Sequence, residues 1–274
     1  MTHVPAKSRR KARLRDRPPR AVFPHLLLLF ILACALLFSG VPSFAGKILG
    51  IDDSQTTGEG NAELEFNVEL SKEGRDREYS LVNVLTLGIV EPLDFSIEYT
   101  YTFLDPKDGE SVNGFGDTEL FLKYSLPYRG AFITQVAMEV GAIVPTGDEE
   151  KGTGEGAKDY EVGLIFGKGS DTTPLLVNLA YVFSGNRPEG VDPDDVFRAS
   201  LTLEIELSEA KGVSAAAEIE YETAEFPGER DIVTVRGGFE YGLSEDVDMS
   251  LSAETALNGE GPDILFTTGL TAEY

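Results

Sequence analysis

Glu218, Glu220 and Glu222 stand at every second position of one segment, and Glu204 and Glu206 do the same on the segment before it. Side chains two apart in an extended chain project from one face, so this spacing gathers carboxylates. Gathered carboxylates can attract cations, shift one another's protonation or, in suitable pairs, hydrolyse glycosides. Acids are so abundant here, 47 in 274 residues, that no single pair stands out as catalytic.

The other side chains that catalysis and metal binding favour are confined to one end. His3, His25 and Cys34 are the only histidines and the only cysteine, and tryptophan is absent. All three lie in a stretch with the layout of a secretory leader. A basic run from Lys7 to Arg20 precedes an apolar run from Leu26 to Phe38, and Ser43-Phe44-Ala45 supplies the small-residue pattern of a cleavage site. Cleavage is expected after Ala45. The alternative is an uncleaved helix over 21–39, which Pro24 and His25 interrupt. Cys34 sits inside the apolar run, so lipidation is not expected.

Loss of 1–45 removes eight of the 23 basic and one of the 47 acidic residues, leaving a net charge of −31. A mature chain without His or Cys has no disulfide, no thiolate zinc site and no histidine-based nucleophile or general base. A surface this negative repels nucleic acid. Neither an enzyme nor a cofactor is expected.

The acids must be positioned by strands. Leu64, Phe66, Val68 and Leu70 alternate with Glu63, Glu65, Asn67 and Glu69. Phe95, Ile97, Tyr99, Tyr101 and Phe103 alternate with Ser96, Glu98, Thr100 and Thr102. The same period recurs to the last segment, where Phe266, Leu270, Ala272 and Tyr274 share a face. Strands are expected over 61–70, 78–90, 95–103, 116–126, 131–144, 160–167, 175–184, 196–207, 213–223, 232–241, 247–257 and 264–274. The second and fifth are apolar on both faces, which leaves their orientation open.

Short links generally follow even-numbered strands (91–94, 127–130, 208–212, 242–246), and longer charged links follow odd-numbered ones (71–77, 104–115, 145–159, 185–195, 224–231). An even strand count with alternating short and long links is the pattern of outer-membrane barrels. Ten residues at about 3.3 Å each, tilted by about 40°, rise about 25 Å, which matches the apolar band of such barrels. A soluble sandwich or lipocalin-like barrel would show the same alternation turned inside out. The leader, the even count and the link asymmetry favour the membrane form. The expected fold is therefore all-β, a transmembrane up-and-down antiparallel barrel of about 12 strands, with 1–45 as signal peptide, 46–60 as a periplasmic N-terminal segment and 61–274 as the barrel. Aromatics near strand ends, among them Tyr124, Tyr128, Phe239 and Tyr241, suit interfacial girdles.

With the apolar faces in lipid, the inward acids are Glu63, Glu65, Glu69, Glu98, Asp117, Glu119, Glu139, Glu161, Glu204, Glu206, Glu218, Glu220, Glu222, Glu240, Asp248, Glu254 and Glu273. The inward bases are Lys123, Arg198 and Arg236. So many like charges require water, cations or protonation. A hydrated, cation-favouring lumen is expected, with Glu98, Glu119, Glu139, Glu161, Glu204, Glu206, Glu218, Glu220, Glu222, Arg198 and Arg236 as its selectivity residues. The alternative is that many of these acids lie in bulk solvent and only keep the chain soluble.

The stretch Thr146 to Lys158 has glycines and a lysine but not the phosphate-loop spacing, and clustered acids but not the EF-hand pattern. It reads as a flexible surface loop, able to narrow a pore if folded inward. Weak divalent-cation binding by Asp148, Glu149 and Glu150 is the alternative.

Gly114-Phe-Gly-Asp-Thr-Glu-Leu-Phe-Leu-Lys-Tyr124, Val144-Pro-Thr-Gly-Asp148, the Gly-Thr-Gly at 152–154, Asp159-Tyr-Glu-Val-Gly-Leu164 and Ala180-Tyr-Val-Phe-Ser-Gly185 occur in that order. Together they resemble the meta-pathway phenol-degradation family of outer-membrane β-barrel proteins over about residues 114–185. The resemblance implies a barrel that passes hydrophobic or aromatic compounds, and it carries over no functional residues. The acidic inner face sits uneasily with an oily cargo. The chain is therefore expected in the outer membrane of a Gram-negative bacterium as a channel or uptake pore for small molecules, in contact with lipid and lipopolysaccharide. The barrel-assembly machinery is expected to engage the last strand, ending at Tyr274. The alternative is a structural or adhesive barrel that binds a partner or divalent ions through acidic loops.

Overall fold

The computed structural model describes residues 54–128, 130, 133–170, 173–187, 193–208 and 212–274. The leader expected at 1–45 lies outside them. Twelve strands follow in order: β1 (Ala62–Glu73), β2 (Asp76–Val90), β3 (Leu93–Asp105), β4 (Val112–Leu126), β5 (Gln135–Val144), β6 (Asp159–Ser170), β7 (Thr173–Phe183), β8 (Val196–Ser208), β9 (Val213–Glu222), β10 (Ile232–Gly242), β11 (Val247–Ala256) and β12 (Ile264–Glu273). Each pairs antiparallel with its sequence neighbours, and β1 pairs with β12, so the sheet closes. Closure leaves no unpaired edge, which a bilayer requires of a sheet.

The period-two pattern sorts side chains as a membrane barrel needs. Leu122, Val140, Leu164, Leu201, Leu203 and Leu251 are exposed on the outside. Glu63, Glu65, Lys123, Thr202, Glu218 and Glu254 are buried inside. The registers extend this phase around the wall, since Glu98 faces Glu119, Lys123 faces Glu139 and Arg236 faces both Glu218 and Glu254. They also settle the two ambiguous strands. Ser80 and Thr86 of β2 point inward beside Glu69 and Glu63, and Glu139 of β5 points inward beside Lys123.

The strands outrun their expected ends where the sequence turns polar. The segment 71–77, expected as a loop, is largely ladder. Ser71 pairs with Glu78 and Lys72 with Arg77, so only Gly74 and Arg75 separate β1 from β2. A strand that has left the lipid no longer needs an apolar outer face, so alternation ends before the ladder does. At the opposite end β5 begins at Gln135, four residues later than expected, and the 127–134 link is longer than the tight turn expected there. The loop end also carries the 14-residue link 145–158 and the 12-residue link 184–195.

Candidate functional site

Two chain segments reach inside the barrel, one from each end. From the terminal end, residues 54–60 run along the inner wall. Thr57 donates its backbone N–H to Asp94 Oδ2 at 2.8 Å, and its hydroxyl reaches the same oxygen at 3.2 Å. Ser54 is buried and donates to Gln135 Oε1 at 2.9 Å. Gly60 N–H donates to the Gly88 carbonyl at 2.9 Å, and Gly88 N–H returns to the Asn61 carbonyl at 3.0 Å. A Cβ on Gly88 would collide with the Gly58 carbonyl, so glycine at 88 is what lets the segment lie flat. Of the expected 46–60 segment, the described part thus occupies the barrel mouth. Asp94, expected in a turn, opens an inward row instead.

From the loop end, the link 145–158 folds onto the inner face of β4. Asp117 holds it: Oδ1 accepts Gly147 N–H at 2.8 Å and Oδ2 accepts Glu155 N–H at 2.8 Å. Gly114 and Gly116 leave the wall bare where Thr153 rests. The free surface loop expected here is therefore corrected to a docked one. The physical cause is a bare strip of wall with a carboxylate at its end. Asp148, weighed as a divalent-ion ligand, instead caps the 3-10 turn Glu149–Lys151 and pairs with Lys151 at 2.6 Å. That contact holds its carboxyl below the usual range. Among the described residues no group of three or more Asp, Glu, His or Cys side chains is arranged to hold a metal ion.

Arg187, in the 184–195 link, ties this loop to its neighbours. Its guanidinium bridges Glu155, Asp159 at 3.2 Å and Glu225 at 2.7 Å. Gly185 N–H adds a bond to Asp159 at 2.7 Å. Burial pushes the Glu155 carboxyl up to about 7; Glu225 and Asp159 reinforce the rise and Arg187 opposes it. None of these four groups was among the sequence-derived candidates. Their contacts span 28 to 38 residues of chain, beyond the reach of strand periodicity.

Beneath the docked loop lies a cavity of about 440 Å³. Thr100, Thr102, Glu119, Arg198 and Glu222 form its walls, and Gly152 to Glu155 form part of its roof. A second cavity of about 270 Å³ lies deeper, lined by Glu139, Glu161, Arg198, Glu218, Glu220 and Arg236 among others. Arg198 pairs with Glu161 and borders both spaces. Arg236 binds Glu254 through Nε at 2.7 Å and lies 3.8 Å from Glu218, whose other oxygen accepts the Thr202 hydroxyl at 3.0 Å. Toward the terminal mouth, Glu240 lies within electrostatic reach of Glu63, Glu204, Asp248 and Glu273. The candidates thus fall into levels. Glu119, Glu222 and Arg198 line the upper cavity. Glu139, Glu161, Glu218, Glu220 and Arg236 line the lower one. Glu204 lies toward the terminal mouth, Glu206 continues its inward row, and Glu98 stands beside Glu119.

The family match to the described "Putative MetA-pathway of phenol degradation" covers residues 49–274, all twelve strands. The chain belongs to this family. The stretch that carried the resemblance, 114–185, contains both halves of the family chain's docked loop and its Asp117 anchor. Among solved structures, this family member is similar to the COG4313 outer membrane channel from Pseudomonas putida F1, at 10% identity and a TM-score of 0.65, covering 82% of this chain and 100% of that one. It is also similar to the NanC porin (8% identity, TM-score 0.53, 77% and 98% covered) and the KdgM porin (10%, 0.50, 77% and 98%). At these identities the likeness is one of fold, the outer-membrane barrel. No curated protein matches the sequence.

Proposed function

We propose that the chain is an outer-membrane channel for small molecules, non-catalytic, with an interior that favours cations. The observation that carries this is the pair of polar cavities inside a closed wall, lined by Glu119, Glu139, Glu161, Glu218, Glu220 and Glu222 against Arg198 and Arg236. Charges in that excess are tolerable only with water or counter-ions beside them, so the interior is a hydrated path rather than a dry core. Glu98, Glu204 and Glu206 continue the acidic rows. The likeness to proteins described as a channel and as porins supports the reading.

The family's description names phenol degradation and supports small aromatic compounds as cargo. An aromatic ring bearing an ammonium group satisfies both the description and the acidic wall. The proposed setting is the outer membrane of a Gram-negative bacterium. There the lipid-facing belt meets lipid and lipopolysaccharide, and the barrel-assembly machinery engages the strand ending at Tyr274.

The experiment is a bi-ionic potential across a planar bilayer, with tyramine chloride on one side and potassium chloride on the other. A steady current with measurable tyraminium permeability supports the channel. Folded, inserted protein that conducts neither ion overturns it in favour of a structural barrel.

A further inference from the structure

One guanidinium at the loop end serves three carboxylates from three segments: Glu155 on the 145–158 link, Asp159 at the start of β6 and Glu225 on the 223–231 link. We propose that this cluster is a pH-sensitive latch, which holds the 145–158 link inside the barrel in acid and releases it as the medium approaches neutrality. The proposal rests on the channel reading for its effect on transport, but the latch itself is a property of the loop.

The geometry makes Glu155 the moving part. Its backbone N–H is pinned by Asp117 of β4, and its side chain enters the Arg187 cluster at the rim of the upper cavity. The charged groups around it are Arg187 from the 184–195 link, Asp159 from β6, Glu225 from the 223–231 link and Asp117 from β4. Glu119, Arg198 and Glu222 line the cavity below. With every acid ionised, the Arg187 cluster of one base and three acids carries two surplus negative charges. Glu155 and Asp159 both bind Arg187 Nη2, so the two carboxyl groups are gathered on one nitrogen and a proton on Glu155 removes one of the surplus charges.

The direction follows from linkage. Docking raises the Glu155 carboxyl from the ordinary value of 4.5 to about 7, whereas a released loop returns it to solvent. The docked loop is therefore fully favoured below about pH 4.5, and that advantage is lost as the pH climbs to about 7. Between those two values one titrating group can change the docking equilibrium by at most about tenfold per pH unit, and solvent at the half-exposed Glu155 damps the effect. A fall of about tenfold in the docking equilibrium is expected between pH 5 and pH 7.5.

The test uses the full chain with Cys34→Ser, reconstituted in lipid. Hydrogen exchange of residues 147–155, corrected for the intrinsic pH dependence of exchange, reports the loop directly, and conductance is recorded on the same samples. Protection is expected to fall about tenfold from pH 5 to pH 7.5 while conductance rises, and Glu155→Gln should hold both at their acid values. A disulfide provides the lock. A Cβ on Gly114 would lie 3.5 Å from that of Thr153, inside disulfide range. Oxidised Gly114→Cys/Thr153→Cys should abolish the rise in conductance, and reductant should restore it. Equal corrected protection at the two pH values in the unmodified loop overturns the latch. A loop that loosens while no current flows at either pH supports the latch and overturns the channel reading.

Discussion

Asp117 and Glu155 lie 38 residues apart, yet the Asp117 carboxylate accepts the Glu155 backbone N–H at 2.8 Å. With the matching bond from Gly147, one side chain on the wall closes a long link onto the inside of the barrel. Such bonds from backbone N–H groups to an ionised carboxylate contribute about 1.5–3 kcal/mol each.

Asp117→Ala is therefore expected to free the link without unfolding the sheet, whose ladder does not use this side chain. Trypsin should cut after Lys151 at least about tenfold faster than in the parent, and conductance should rise. Unchanged cleavage would mean that Asp117 does not hold the link.

Asp94 plays the same part at the other mouth, where it receives both the N–H and the hydroxyl of Thr57. Asp94→Ala should cost the Thr57 amide its exchange protection and widen the opening at the terminal mouth, read as a higher single-channel conductance. A variant with full protection at Thr57 would contradict the anchoring role.

Arg236 is the base that Glu254 and Glu218 share within the wall. Removing one partner of a buried ion pair typically costs about 3–5 kcal/mol, because the other charge is left uncompensated. Arg236→Met should lower the stability to urea unfolding in lipid by an amount near the lower end of that range, since the Arg236 side chain is only partly buried. Arg236→Met with Glu254→Gln should recover part of the loss. If the double variant is no more stable than the single one, the two residues are not coupled.

Much of the barrel was legible in advance because an apolar outer face and a polar inner face impose a strict period of two. The inward rows of β8 and β9, Glu204 and Glu206 on one and Glu218, Glu220 and Glu222 on the other, could be read without any tertiary information. Strand ends were less legible. Ser71 to Arg77 stand clear of the lipid, and a strand surrounded by water has no pattern to display. The Arg187 cluster was not legible at all, since its members come from three links and the first residue of β6, with no common period. The one usable signal was the small residues Gly114 and Gly116 ahead of Asp117, which leave a strip of inner wall open to another segment. Gly88 gave the same cue for residues 54–60.

The most direct test of an acidic, hydrated interior is the reversal potential of the reconstituted protein under a potassium chloride gradient, measured beside Glu218→Gln/Glu220→Gln. A potential on the cation side that shrinks in the double variant is the expected result. A potential at zero or on the anion side, unchanged by the double substitution, would contradict it.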